Sequence, residues 1–145
     1  MFRDLRTAME RTMDRFPQPP AILIVDDDPD ILAVLHLIIQ NVGTTYDIVP
    51  THDTRSALRH LAQRTVPLLI TDYMMPGMDG LQLTAAVKAV SPMTHVILAT
   101  AYGSAALEQR AREYQVDTFL PKTALFDRLE DVVWSVLRPV SARRC

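Results

Sequence analysis

Short apolar runs alternate with segments of helical periodicity along most of the chain. The run Ala21–Val25 is fully apolar and largely aliphatic, as expected of a strand buried on both faces. Asp28 and Pro29 are then typical of a helix cap and first turn, and this helix is predicted to end before Gly43. The same order repeats and predicts strands at 21–25, 46–49, 68–71, 95–99 and 118–120, with helices at 29–40, 54–63, 81–90, 105–114 and 124–137.

The alternation amounts to five β-α units within about 120 residues. Such a pattern predicts an α/β fold, a doubly wound five-stranded parallel sheet with helices on both faces and right-handed crossovers. Pro50 is predicted to end the second strand, and Pro139 to stop the last helix. Ligands of open α/β sheets bind beyond the carboxyl ends of the strands, so the residues that follow each strand are the place to look for chemistry.

A separate segment precedes the first strand. Residues 1–16 carry apolar side chains at helical spacing, and a proline-rich linker follows them. We therefore divide the chain into an N-terminal amphipathic helix and linker (1–20), a domain (21–140) and a tail (141–145). The helix could serve as an intramolecular lid, a dimer contact or a membrane-surface helix; its mixed charges make the last option the weakest.

Composition narrows the class of protein. The 145 residues include 48% hydrophobic and 22% charged residues, a globular profile with room for one ordinary domain. A net charge of −2 argues against direct nucleic-acid binding, and no apolar stretch is long enough for a membrane span. The single cysteine, Cys145, allows no internal disulfide, and together with the lack of a signal peptide it predicts a cytoplasmic location.

Charged and hydroxyl side chains follow four of the five predicted strands. Asp26 and Asp27 follow the first, Asp72 the third, Thr100 the fourth and Lys122 the fifth. Because parallel strands end at one edge of the sheet, these groups should converge there. Clustered carboxylates repel unless a cation joins them, so we expect a Mg²⁺ site, and Mg²⁺ with a nearby lysine is suited to phosphoryl transfer. Asp28 is better interpreted as the helix cap than as a third ligand on this loop.

Four strings carry a family resemblance: ILIVDDDPD, LLITDYMMPGMDG, ILATAYG and FLPK, in that order. Together they resemble the receiver domain of bacterial two-component response regulators, from residue 21 to about residue 138. The resemblance implies a flavodoxin-like sheet of strand order 2-1-3-4-5 and a phosphoryl group taken by the phosphoacceptor Asp72 from a sensor histidine kinase or phosphotransfer protein. It further implies a catalytic set of Asp72, Thr100 and Lys122; Mg²⁺ ligands on Asp26, Asp27, Asp72 and the Met74 carbonyl; switch residues Thr100, Phe119 and Tyr102; and a pocket loop with Pro76 and Gly80.

The function expected is a phosphoaspartate signalling switch that binds a downstream protein through the face formed by the fourth helix, the fifth strand and the last helix. Enzymatic character would be confined to self-phosphorylation and slow self-dephosphorylation. One alternative is a receiver-like interaction module not regulated by phosphorylation, suggested by Thr123 where the family usually has proline after its lysine. A small phosphatase is a further alternative, but Met74 stands where such enzymes commonly carry a second carboxylate.

The first helix is predicted to be apolar nearly all round. An exposed patch on it would suit tight association with a kinase or with a second copy, a possible homodimer, unless the N-terminal segment covers it. The residues concerned are Ile31, Leu32, Leu35, Leu37, Ile38 and Ile39.

Overall fold

Five parallel strands form one sheet in the computed structural model, which describes residues 18–42, 45–101 and 103–137. The sheet order is β2-β1-β3-β4-β5, so the predicted fold class is confirmed. The N-terminal helix predicted within residues 1–16, the tail 141–145 and the switch candidate Tyr102 lie outside the described residues. The strands are β1 (Ala21–Val25), β2 (Asp47–Thr51), β3 (Leu68–Asp72), β4 (His95–Thr100) and β5 (Thr118–Pro121).

Helices connect successive strands and lie on both faces of the sheet. The first four begin at side chains that accept a hydrogen bond from a first-turn backbone N–H: Asp28, Asp53, Asp79 and Ser104. Each of these caps satisfies a donor that the helix itself leaves unpaired. The helices are α1 (Pro29–Ile39), α2 (Thr54–Gln63), α3 (Gly80–Val90), α4 (Ala105–Glu113) and α5 (Glu130–Leu137), the last preceded by a 3₁₀ turn (Lys122–Ala124) and a π-helical turn (Leu125–Leu129).

The core divides into two main clusters because successive strand residues point to opposite faces. Ile22, Ile24 and Ile70 pack on one face with α1 and α5, whereas Leu23 and Leu69 pack on the other with α2 and α3. Every residue of β1 and β3 is buried, as the fully apolar β1 predicts. The central strands therefore form a rigid base for the groups at their carboxyl ends.

The two edge strands, β2 and β5, each extend further along the chain than the sequence predicts, and each includes a proline. Pro50 does not terminate β2: the strand runs from Asp47 to Thr51, and Pro50 pairs with Ile24 of β1. The prediction was wrong because β2 is an edge strand, where a residue without an N–H can face solvent and leave the ladder intact. The other edge strand, β5, also includes a proline: it ends on Pro121, one residue beyond its predicted end.

Helix α1 is less exposed than its composition suggests. Of the six large apolar residues named above, Leu32, Leu35 and Ile39 are buried. Only Leu37 is exposed, with 58% of its surface accessible to solvent. A broad apolar patch is not exposed on α1, because the helix packs against the sheet and also against α5. The alternative that the N-terminal segment covers this helix concerns residues outside the described ranges. No helix in the described parts of the chain has the length and apolarity needed to cross a bilayer.

Candidate functional site

Three aspartate side chains meet at the carboxyl end of the sheet. Asp26 directly follows β1 and Asp72 ends the neighbouring strand β3, where Val25 and Thr71 are register partners. One carboxylate oxygen each from Asp26, Asp27 and Asp72 lies within 4.8 Å of the other two. Asp26 and Asp72 are buried, whereas Asp27 is exposed, so the group opens to solvent on one side.

Lys122 joins this group from the far edge of the sheet. Its Nζ lies 3.0 Å from Oδ2 of Asp26 and 3.3 Å from Oδ1 of Asp72. The residue before it, Pro121, is the register partner of Thr100, the buried last residue of β4. The sheet thus places an ammonium group against two carboxylates, and a threonine at the end of the strand between β3 and β5.

Both oxygens of Asp26 are held in place. Its Oδ1 accepts a hydrogen bond from the backbone N–H of Asp28 (2.9 Å), and its Oδ2 accepts one from Lys122. The Asp28 carboxylate turns away to accept from the N–H of Asp30 (2.9 Å), which confirms its interpretation as a helix cap. The loop after β1 therefore presents two aspartates to the site and uses the third to start α1.

The Asp72 carboxylate is oriented by a group that the sequence analysis missed. The backbone N–H of Tyr73 donates to Oδ1 of Asp72 (2.8 Å), the same oxygen that Lys122 approaches. A backbone amide carries no residue-type signal, so no pattern in the sequence points to it. Oδ1 of Asp72 is therefore already in contact with two donors, the Tyr73 N–H and Lys122.

Burial and ion pairing act in opposite directions on the pKa values of Asp26 and Lys122. Burial raises the pKa of Asp26, and the nearby Asp72 charge adds to that rise, against the lowering effect of its bonds to Asp28 and Lys122. Burial alone would lower the pKa of Lys122, but its hydrogen bond to Asp26 and the charges of Asp26 and Asp72 outweigh burial and raise it. Lys122 thus remains charged, and its single positive charge does not balance the three carboxylates of the cluster.

The donor set suits a hard divalent cation. Carboxylate oxygens with open access to water are the ligands typical of Mg²⁺, and a cation there would relieve the repulsion among Asp26, Asp27 and Asp72. The predicted fourth ligand, the carbonyl of Met74, belongs to an exposed residue of the loop after β3. Its part in metal binding stays a prediction.

The loop after β3 returns tightly to the strand. The Gly80 N–H donates to the carbonyl of Tyr73 (2.8 Å), and α3 starts at this glycine. An added Cβ at Gly80 would lie 2.3 Å from the Asp72 carbonyl oxygen, so only glycine allows this approach. Pro76 of the same loop is exposed.

Two of the three predicted switch residues, Thr100 and Phe119, lie on the neighbouring strands β4 and β5. Thr100 is 1% exposed, and the half-buried Phe119 packs in a small cluster together with Leu98 and Leu107. A Cβ at Gly103 would lie 3.7 Å from the Phe119 ring, so the ring is close to the loop that follows Thr100. The switching roles of Thr100 and Phe119 stay predictions.

Comparison with known proteins gives consistent matches. A family model described as "Response regulator receiver domain" matches residues 22–133. The transcriptional regulatory protein GlrR of Escherichia coli is 36% identical over 120 residues, which are 80% of this chain and 27% of that protein. The chain therefore spans only about a quarter of the length of this curated relative.

Solved structures agree with the family match. The signal receiver domain of an HD domain-containing protein from Pseudomonas fluorescens is 29% identical, with a TM-score of 0.74 over 88% of this chain and 93% of that chain. The response regulator TrrA of Thermotoga maritima, solved in complex with Mg²⁺-BeF, is 29% identical, with a TM-score of 0.71 over 81% and 99% of the two chains. On its fold, its acidic cluster and the family match, the chain belongs to the response regulator receiver domains.

Proposed function

We propose that the protein is a phosphoaspartate signalling switch that accepts a phosphoryl group at Asp72. The observation that carries this proposal is the meeting of Asp26, Asp27 and Asp72 with Lys122 at one end of the sheet. A phosphoryl group in transfer carries negative charge on its peripheral oxygens, which fixed positive groups stabilise. The membership of the receiver family supports the same function.

The proposed reaction is an in-line displacement at phosphorus. One Asp72 oxygen forms the new P–O bond while the P–N bond of a kinase phosphohistidine breaks, and the bonding electron pair leaves with the imidazole. Asp26, Asp27 and Asp72, with the Met74 carbonyl, would hold Mg²⁺, which would neutralise charge on the transferring group. Lys122 would pair with a phosphoryl oxygen, and the Thr100 hydroxyl would donate a hydrogen bond to another.

The output would be a change in conformational equilibrium. A phosphoryl group shifts that equilibrium only by as much as its contacts differ between the two states. Thr100, at the end of β4, would move toward the phosphoryl group and bring the following loop and Phe119 with it. We expect a downstream protein to recognise the resulting change on the face formed by α4, β5 and α5.

We further propose that the protein turns over no small substrate. Self-dephosphorylation of Asp72 would be slow, since the described loop after β3 offers Met74 where a phosphatase would place a second carboxylate. Thr123, the departure that suggests an unregulated interaction module, does not displace Lys122 from Asp26 and Asp72. The geometry thus favours the regulated switch over both alternatives.

The direct test is labelling of Asp72. The wild-type protein, incubated with Mg²⁺ and acetyl phosphate or a panel of sensor kinases, should acquire a phosphoryl group that is stable in acid and lost in base. Asp72→Asn should abolish this labelling, because a neutral amide oxygen is a poor nucleophile. Asp53→Asn is a matched control: Asp53 caps α2, and asparagine caps a helix as well as aspartate does. Equal labelling of Asp72→Asn and wild type would remove Asp72 from its proposed role.

A further inference from the structure

Tyr73 connects the phosphoacceptor residue to helix α4. Its half-buried side chain packs with Leu107 and Ala111 of α4 in the same cluster as Phe119. The phenol oxygen lies 3.5 Å from a guanidinium nitrogen of Arg110, also on α4. Tyr73 thus reaches from the end of β3 to the exposed side of a helix that belongs to the proposed output face.

The backbone of Tyr73 is fixed at the site itself. Its N–H donates to Oδ1 of Asp72 (2.8 Å), and its carbonyl accepts from the N–H of Gly80 (2.8 Å). A change at the Asp72 carboxylate therefore acts directly on the Tyr73 peptide group, as it does on Lys122, which approaches the same oxygen. The phenol ring is a rigid extension of that residue, with only two side-chain torsions between backbone and hydroxyl.

We propose that Tyr73 and Arg110 form a coupling link that transmits the phosphorylation state of Asp72 to α4. This inference rests on the proposed function. It assigns Tyr73 and Arg110 a positioning role, distinct from the chemistry at Asp72. The link supplies a polar contact to α4 that Phe119, which has no polar atom in its side chain, does not offer.

The physical cause is the loss of charge on the Asp72 carboxylate. A carboxylate accepts a charge-assisted hydrogen bond, but once one oxygen is esterified to phosphorus the carboxyl group itself is uncharged, and the negative charge lies on the phosphoryl oxygens. The bond from the Tyr73 N–H then weakens, so the residue can shift relative to Gly80. Only contacts that differ between the two states transmit the change, and the contact of the Tyr73 hydroxyl with Arg110 would change if Tyr73 shifts.

Arg110 makes this contact at the protein surface. The hydrogen bond to Tyr73 is the main reason that the pKa of Arg110 rises, and Tyr114 adds to the rise. The side chain is exposed, so its removal leaves the core and the phosphoryl site intact. An exposed polar contact contributes modestly to stability, and the effect expected on coupling is correspondingly partial.

The test compares two arginines of the same helix. In ¹⁵N-labelled protein, Mg²⁺ with beryllium fluoride, a stable mimic of the phosphoryl group, should shift the backbone amide resonances of α4 in the wild type. Arg110→Gln should leave acetyl phosphate labelling of Asp72 as in wild type and reduce the α4 shift changes by about half or more. Arg112→Gln is the matched control, since the described contact of Arg112 is an exposed ion pair with Glu108 (3.4 Å) one turn away. Arg112→Gln should keep the full response.

Tyr73→Phe, which keeps the ring and removes only the hydroxyl, should reduce the α4 response as Arg110→Gln does, and the double variant should lose no more than either alone. A full α4 response in Arg110→Gln, or an equal loss in Arg112→Gln, would overturn the link while leaving Asp72 labelling intact. Failure of the wild type to be labelled would instead refute the proposed function, and the link with it.

Discussion

Gly80 determines how closely helix α3 can approach β3, the strand that carries Asp72. An ideal Cβ at this position would lie 2.3 Å from the Asp72 carbonyl oxygen and 2.7 Å from Cδ1 of Leu98. Backbone atoms cannot move aside as a flexible side-chain end can, so any larger residue must push α3 away from β3. The position of Asp72 therefore depends on the lack of a side chain eight residues later.

Gly80→Ala should destabilise the protein by about 1–3 kcal/mol, the usual cost of forcing an extra carbon into a packed site. It should also slow acetyl phosphate labelling of Asp72, because the strand end that carries the carboxylate is displaced. Gly103→Ala is the control: its Cβ would meet Phe119 at an ordinary 3.7 Å. Urea unfolding measures stability in both variants; a Gly80→Ala protein as stable as Gly103→Ala would contradict the steric argument.

The sequence predicts which side chains form the candidate site, but not which backbone groups orient them. Asp26, Asp72 and Lys122 follow three strands in the sequence, so their convergence could be predicted from the parallel sheet alone. Besides Lys122, the donors that orient the two buried carboxylates are the backbone N–H groups of Asp28 and Tyr73. Such groups occur at almost every residue, and only the folded loop shows which of them point at a carboxylate.

At the scale of elements, the order of strands and helices followed from periodicity, whereas their ends depended on tertiary neighbours. Pro50 continues β2 because no strand lies beyond it, a fact of sheet order and not of local sequence. The segment after β5 was predicted as a helix from residue 124, but helical turns already begin at Lys122, as a 3₁₀ turn and then a π-helical turn. Irregular turns of this kind share the apolar spacing of an α-helix, so periodicity does not separate them.

A histidine side chain forms a hydrogen bond between the first residues of β4 and β5. Nε2 of His95 lies 2.8 Å from the Thr118 hydroxyl, and burial lowers the pKa of this imidazole. Two charged groups face it: Asp117, which favours protonation, and Lys88, which opposes it. These two are themselves ion-paired at 2.7 Å, so neither acts on His95 as a lone charge.

Acidification should therefore weaken the fold through His95. The unfolded chain takes up a proton near the ordinary histidine pKa of 6.5, while the folded protein resists it until lower pH. The stabilisation is complete above pH 6.5 and is lost as pH falls through 6.5 toward the lowered folded pKa. Because the ring is only half-buried, the slope should be a fraction of the ~1.4 kcal/mol per pH unit of a full proton.

Urea unfolding between about pH 7.5 and pH 5 measures this effect. His95→Gln should flatten the slope, since glutamine does not titrate, whereas His52→Gln, at an exposed histidine, should retain it. An equal slope in His95→Gln would assign the acid sensitivity to other groups.

Over the whole molecule, the acidic cluster of the candidate site and the one-to-one ion pairs lie at opposite ends of the sheet. At the carboxyl ends, Asp26, Asp27 and Asp72 cluster, and among the described residues Lys122 pairs with Asp26 and Asp72. This arrangement has surplus negative charge. At the amino ends the ion pairs are one-to-one: Asp117 with Lys88, and Asp47 with Arg64, which also holds the Pro19 carbonyl. The fold thus keeps one end electrostatically balanced and leaves the other short of positive charge.

That imbalance predicts stabilisation by Mg²⁺. A cation bound by the folded protein and not by the unfolded chain raises the free energy of unfolding by about 2.7 kcal/mol at a concentration 100 times its Kd. Thermal unfolding of the wild type should therefore shift upward with added MgCl₂ and return on chelation with EDTA. Asp27→Asn should remove most of the shift; Asp27 is the exposed member of the three, so its replacement disturbs packing least. NaCl at matched ionic strength controls for screening, and a wild-type shift equally large in NaCl, or undiminished in Asp27→Asn, would mean that the carboxylate cluster does not bind the ion.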